Sequence, residues 1–167
     1  MKNITLLYTS HAHALYSYAI RLGYSSDAAK DAVQDVFVLL MTKNISLPPA
    51  GEVRFFLLRI MKNKLINASK HEALSVRMSG EEDDEYPFHV DVSVEDEIIA
   101  REYDEALKRK IESMLGRLTN RQREIIYLRY MQGLEYEQIA SVMGITYNSC
   151  RKLVAAAMVM LRKQDCR

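Results

Sequence analysis

A chain of 167 residues, nearly half hydrophobic and holding only three prolines and six glycines, suits one helical domain or two small ones. Its formal net charge of +1 hides a pattern. Residues 1–70 carry nine Lys/Arg against four Asp/Glu, residues 71–98 one against ten, and residues 99–167 thirteen against eight, so two basic blocks flank an acidic one. Cys150 and Cys166 lack metal-ligand spacing, which excludes a disulfide framework and a zinc site, and the longest apolar runs are too short to span a bilayer.

Residues 1–18 have no apolar h-region and no cleavage-site pattern, so the expectation is a soluble, cytoplasmic protein with no membrane insertion. The first helix is predicted over residues 3–22, with Leu7, Ala14, Leu15, Tyr18 and Leu22 as its apolar stripe and Gly23 as its stop. Ser25 or Ser26 caps a second helix over residues 27–43, whose core stripe is Ala29, Val33, Val36 and Leu40. Its opposite face carries Asp31, Gln34, Asp35 and Val38 at i, i+3, i+4 and i+7. By periodicity alone this is an ordinary solvated face, although acidic groups in a basic block would repel DNA and suit an Arg-rich protein surface. A loop over residues 44–51 holds Pro48 and Pro49, and a third helix follows over residues 52–70.

The outer face of the third helix carries Arg59, Asn63, Asn67 and Lys70, with Lys62 and Lys64 beside them. Cations there neutralise phosphates, and amides hydrogen-bond base edges. Phe55 and Phe56 lie one turn back, placed equally well for stacking on an unpaired base or for the core. Residues 73–93 read as an acidic linker, with a run of five acids at 81–85 followed by Pro87. Ser93 with Asp96 resembles a capping box for a helix reaching Leu115, and Thr119 with Gln122 starts a helix ending near Gln132, with Gly133 as its stop.

The last segment is the most specific. A helix over residues 136–143 ends at Gly144, able to take a left-handed conformation, and Thr146 caps the next helix. Ile139, Ala140, Met143, Ile145, Cys150, Leu153 and Val154 join the two helices, while Tyr147, Asn148, Ser149, Arg151 and Lys152 face outward. Hydroxyls, an amide and two cations at a helix start suit base edges and phosphates in a major groove, the pattern of a helix-turn-helix. His11 and His13 project about 200° apart on a helix and are poor joint ligands. With no phosphate-binding glycine loop, nucleophile elbow or Cys/His cluster, the chain reads as a non-enzyme without metal or cofactor. The predicted fold is all-α: a basic helical domain at 1–72, a flexible acidic linker at 73–93 and a helix-turn-helix domain at 94–167.

Three segments carry a family resemblance: DAAKDAVQDVFVLLM at 27–41, VRFFLLRIMKNKLIN at 53–67, and LTNRQREIIYLRYMQGLEYEQIASVMGITYNSCRKLV at 118–154. Together they resemble a bacterial RNA polymerase sigma factor of the extracytoplasmic-function group, which keeps only the second and fourth sigma domains. The C-terminal motif alone also resembles response-regulator output domains, and DAVQDVF makes the sigma resemblance specific. The resemblance implies core RNA polymerase and promoter DNA as partners and leaves room for an anti-sigma factor. It assigns Asp31, Gln34, Asp35 and Val38 to docking on the clamp coiled coil of the largest polymerase subunit. It assigns the loop at 44–51 and the third helix, with Phe56, Arg59, Lys62, Asn63, Asn67 and Lys70, to the minus-ten element. Thr146, Tyr147, Asn148, Ser149, Arg151 and Lys152 fall at the minus-thirty-five element, with Arg129 on a phosphate, and the acidic linker falls in the RNA channel. Two departures stand out: Leu153 to Ala157 add no basic group to the recognition helix, and Glu135 replaces a usual Ser or Thr cap, which weakens that helix start. The competing reading is a stand-alone helix-turn-helix regulator with an N-terminal interaction domain.

Overall fold

The computed structural model describes residues 3–74, 87–89 and 105–165, and the described elements are all helical. The chain divides into two compact units, residues 1–84 and 85–167. The proposed capping box at Ser93 and the acidic run at 81–85 lie outside the described residues.

The first unit packs three helices, α1 (Ile4–Arg21), α2 (Ser26–Thr42) and α3 (Val53–Leu74), with a 3-10 turn over Ala50–Glu52. Asn3 starts α1 by accepting from the Leu6 N–H at 3.0 Å. Of the two candidate serines it is Ser25 that caps α2, accepting from the Ala28 N–H at 3.2 Å. Ala29, Val33, Val36 and Leu40 are buried as their spacing requires, joined by Ala32 and Phe37. The α1 stripe is offset from the expected one: Leu15, Tyr18, Ala19 and Leu22 are buried, whereas Leu7 and Ala14 are only half-buried. Leu57, Leu58, Met61 and Leu65 of α3 complete this core. Each such side chain contributes roughly 1.5–3 kcal/mol by leaving water. Two tyrosines tie the helices together, Tyr16 to Ser26 at 3.0 Å and the Tyr24 hydroxyl donating to the Leu65 carbonyl at 3.1 Å.

The second unit comprises α4 (Glu105–Gly116), α5 (Asn120–Ile126), α6 (Tyr136–Met143) and α7 (Tyr147–Asp165). The Thr119 capping box is formed, with Thr119 Oγ1 accepting from the Gln122 N–H at 3.2 Å and Gln122 Oε1 from the Thr119 N–H at 3.0 Å. The helix expected to run unbroken to Gln132 does not: α5 widens into a π turn over Tyr127–Met131. There the Gln132 N–H reaches back to the Tyr127 carbonyl at 3.1 Å, and Gln132 Nε2 donates to the Tyr127 hydroxyl at 2.8 Å. The wide turn lets the chain reverse at Gly133, φ 70°, with both Leu128 and Leu134 buried.

Two details of the expected linker also differ. Helix α3 continues to Leu74, and Phe88 is buried at 1% exposure in the second unit, so this part of 73–93 is anchored rather than free. None of the described helices is long and apolar enough to cross a membrane.

Candidate nucleic-acid and polymerase interfaces

Helices α6 and α7 form the predicted helix-turn-helix. Gly144 sits at φ 67°, ψ 34°, a left-handed turn that an L side chain resists, and the Ile145 N–H closes it on the Ala140 carbonyl at 3.0 Å. Thr146 Oγ1 accepts from the Ser149 N–H at 3.1 Å and donates to Ser149 Oγ at 2.9 Å. Thr146 is thus committed to the cap, and Ser149 keeps its hydroxyl proton for an outside acceptor. Ile139, Ala140, Met143, Cys150 and Val154 are buried at the junction, and Ile145 and Leu153 half-buried. Burial pushes the Cys150 thiol up, with the Arg129 guanidinium acting the other way.

Tyr147, Asn148, Ser149, Arg151 and Lys152 are all exposed on one end of α7. A feature that pattern reading missed links them to the preceding turn. The Arg129 guanidinium lies over the Tyr136 ring at 4.7 Å, Tyr136 meets Tyr147 edge-on at 6.3 Å, and Arg151 lies 6.0 Å from the Tyr147 ring centroid. This alternating chain ends with Arg151 at the outer limit of a cation–π contact with Tyr147. Its signal in the sequence is a tyrosine at the first position of each helix of the motif.

Arg129 is less free than a simple phosphate contact would be. Its Nη1 donates to the Leu134 carbonyl at 2.9 Å and to Glu135 Oε2 at 3.3 Å, bracing the turn into α6. Glu135 is therefore not merely a poor cap. Its carboxylate pairs with Arg129, and its N–H donates to Gln138 Oε1 at 3.0 Å. Beyond Lys152, Leu153 to Leu161 are all apolar, with Ala157 buried and Ala155, Ala156, Val159 and Met160 exposed, so α7 offers no further side-chain donor until its C-terminal turn.

In the first unit, Asp31, Gln34, Asp35 and Val38 are exposed together on α2, with Val38 54% accessible. Gln34 also lines an open groove of about 310 Å³ between α1 and α2, with Tyr8, His13, Tyr16 and Lys30. On α3, Arg59, Asn63 and Asn67 are exposed in line, and Phe55 and Phe56 are half-buried, with an edge left to solvent. Lys70 lies on α3, its side chain outside the described residues. Lys62 is a correction: expected beside the open stripe, it is only 5% exposed, since its neighbours one turn away on α3 are the buried Leu58 and Leu65. Lys64 pairs instead with Asp35 across α2 and α3 at 3.8 Å, with the two side chains 37% and 66% exposed. The exposed faces of α2 and α3 thus share an ion pair of small energetic weight. His11 and His13 do not act together: His13 is exposed, while burial, and secondarily the Arg54 guanidinium, lowers the His11 imidazole below its ordinary value.

The family profile for sigma-70 region 2 matches residues 7–73, and that for sigma-70, region 4 matches residues 108–161. The ferric citrate uptake sigma factor FecI of Escherichia coli (strain K12) is 30% identical over 152 residues, spanning 91% of this chain and 84% of FecI. The RNA polymerase sigma factor YlaC of Bacillus subtilis (strain 168) is 24% identical over 165 residues, spanning 94% of this chain and 88% of YlaC. The fold is similar to that of the sigma factor RpoE from Bartonella quintana, solved with the anti-sigma factor NepR, at a TM-score of 0.67 and 23% identity over 98% of this chain and 97% of that one. A region 2 match across the first unit favours the sigma reading over a stand-alone regulator. The chain belongs to the sigma-70 family, in its extracytoplasmic-function group, and binds core RNA polymerase to direct promoter recognition and transcription initiation.

Proposed function

We propose that the work is divided between the units. Asp31, Gln34, Asp35 and Val38 dock on the clamp coiled coil of the largest polymerase subunit. The loop at 44–51, with Phe56, Arg59, Asn63, Asn67 and Lys70, captures the minus-ten element as it opens. Tyr147, Asn148, Ser149, Arg151 and Lys152 read the minus-thirty-five element, with Thr146 fixing the helix start and Arg129 bracing the turn beside a phosphate. The chain acts in the cytoplasm as a dissociable specificity subunit and not as an enzyme. An anti-sigma factor is a further partner, supported by the likeness to an RpoE structure that contains one.

The observation that carries this reading is the exposed first turn of α7, where hydrogen-bonding groups and two cations stand clear of the fold and one cation is held by Tyr147. The amide-bearing face of α3 supports the second contact, since Asn63 and Asn67 are exposed on it beside Arg59. Run-off transcription with purified core polymerase tests it. The chain should bind core in equimolar amounts and start transcripts at promoters carrying both elements. Transcription that persists without the upstream element and ignores the downstream one would refute the division.

A further inference from the structure

Phe88 belongs to no periodic stripe of the sequence, yet it is 1% exposed and fixed within the second unit. Its N–H donates to Asn120 Oδ1 at 3.1 Å, and its carbonyl accepts from Arg123 Nε at 2.7 Å. Arg123 also donates to the Leu118 carbonyl and to Asn120 Oδ1. The Phe88 ring packs obliquely on Tyr127, with centroids 5.5 Å apart, and Tyr127 is itself 3% exposed. One residue is thus held by its main chain and by its ring. The ring it meets is the first residue of the π turn.

Tyr127 closes that turn through two separate groups. Its carbonyl accepts from the Gln132 N–H at 3.1 Å, and its hydroxyl accepts from Gln132 Nε2 at 2.8 Å. The Leu134 N–H then reaches back to the Leu128 carbonyl at 3.1 Å. A π turn is a rare conformation, found often at functional sites, and here it carries Arg129. Arg129 Nη1 donates to the Leu134 carbonyl and to Glu135 Oε2, the residues that lead into α6. The placement of Arg129 relative to α6 and α7 therefore depends on the π turn, and Phe88 backs the residue that closes it. On DNA the two ends of this arrangement do different work. A phosphate contact fixes register, and base-edge contacts carry specificity once the register is right.

We propose that Phe88 is a positioning residue for upstream-element recognition. By backing Tyr127 it holds the π turn in the shape that keeps Arg129, at a phosphate, in register with the base-reading first turn of α7. The proposal rests on the assignment of Arg129 and α7 to the upstream element. A loosened turn keeps the charge of Arg129 but lets it shift against the base readers, so discrimination should fall further than affinity.

The test is transcription by reconstituted holoenzyme on promoters with each upstream base pair substituted in turn. The same substitutions in the minus-ten element serve as an internal control. Phe88→Ala should reduce the preference at the most discriminating upstream position by roughly 2- to 30-fold, the range of coupling through packed side chains. Tyr127→Phe keeps the ring against Phe88 and loses only the hydroxyl that Gln132 binds. It should cost about 2- to 10-fold, the range of one hydrogen bond. The double variant should lose no more than Phe88→Ala alone, because the two residues act on one turn. Minus-ten preference should stay at the wild-type ratio in all three. A mere loss of folded protein lowers yield on every promoter alike and moves neither ratio. If Phe88→Ala fails to fold by circular dichroism, Tyr127→Phe decides the question. Wild-type upstream preference in either folded variant overturns the proposal. Upstream preference that is absent from wild type, or unmoved by Arg151→Ala, would instead overturn the assignment of α7 as the reader, and the proposal with it.

Discussion

Arg151→Ala and Lys152→Ala separate base reading from charge. Both side chains are exposed on α7, and Ala is the better helix former, so neither change should unfold the motif. The free protein loses only the contact of Arg151 with the Tyr147 ring at 6.0 Å, worth roughly 0.5 kcal/mol at an exposed site. On DNA the two should differ. A bidentate Arg–guanine contact discriminates by about 1–3 kcal/mol, so Arg151→Ala should erase a preference of roughly 5- to 150-fold at one base pair. Lys152→Ala should weaken all upstream sequences alike and shrink the salt dependence by about one phosphate's worth, a slope change near 0.9. Because Tyr147 positions Arg151, Tyr147→Phe should keep the preference and Tyr147→Ala should blur it. The assay is transcription by holoenzyme on promoters with each upstream base pair substituted in turn, repeated across a salt series. If Arg151→Ala leaves the preference intact at every position, the first turn of α7 is not the reader.

Gln34→Ala with Asp35→Arg should abolish co-purification with core polymerase. The fold should survive, since the lost Lys64–Asp35 pair is half-exposed and worth at most about 1 kcal/mol; binding at the wild-type level would disprove the docking face. Asn63→Ala and Asn67→Ala should each cost the open complex about 0.5–1.5 kcal/mol per lost hydrogen bond while sparing the closed one. Permanganate footprinting reads this as reduced thymine reactivity, and an unchanged footprint counts against a role in melting. His11 is favoured neutral by burial and by Arg54, so the folded state binds its proton less readily than the unfolded chain. Stability of the first unit should be full above the unfolded value of 6.5 and decline as pH falls below it towards the lowered folded value. Thermal melts across pH should show this decline and show it reduced in His11→Gln, and identical pH profiles would remove His11 as the cause.

Much of the molecule was legible in the sequence because short-range rules govern it. The Thr119 and Thr146 caps, the left-handed Gly144 and the α2 core stripe each depend on residues within a turn or two, so spacing alone located them. The same periodicity put Asp31, Gln34, Asp35 and Val38 on one exposed face, but only the family resemblance attached a partner to that face. Tertiary packing decided the rest. Lys62 had the right chemistry for DNA, yet its place on α3 buried it. Arg129 looked free and is spent on Leu134, Glu135 and Tyr136, groups it meets only because the π turn brings the chain back. Phe88 stood in an acidic stretch with no periodic partner, and its pocket is assembled from residues more than thirty positions away. Periodicity reports which side of an element faces inward. It carries no information on which distant side chains meet there, because those contacts are chosen by the packing of whole helices.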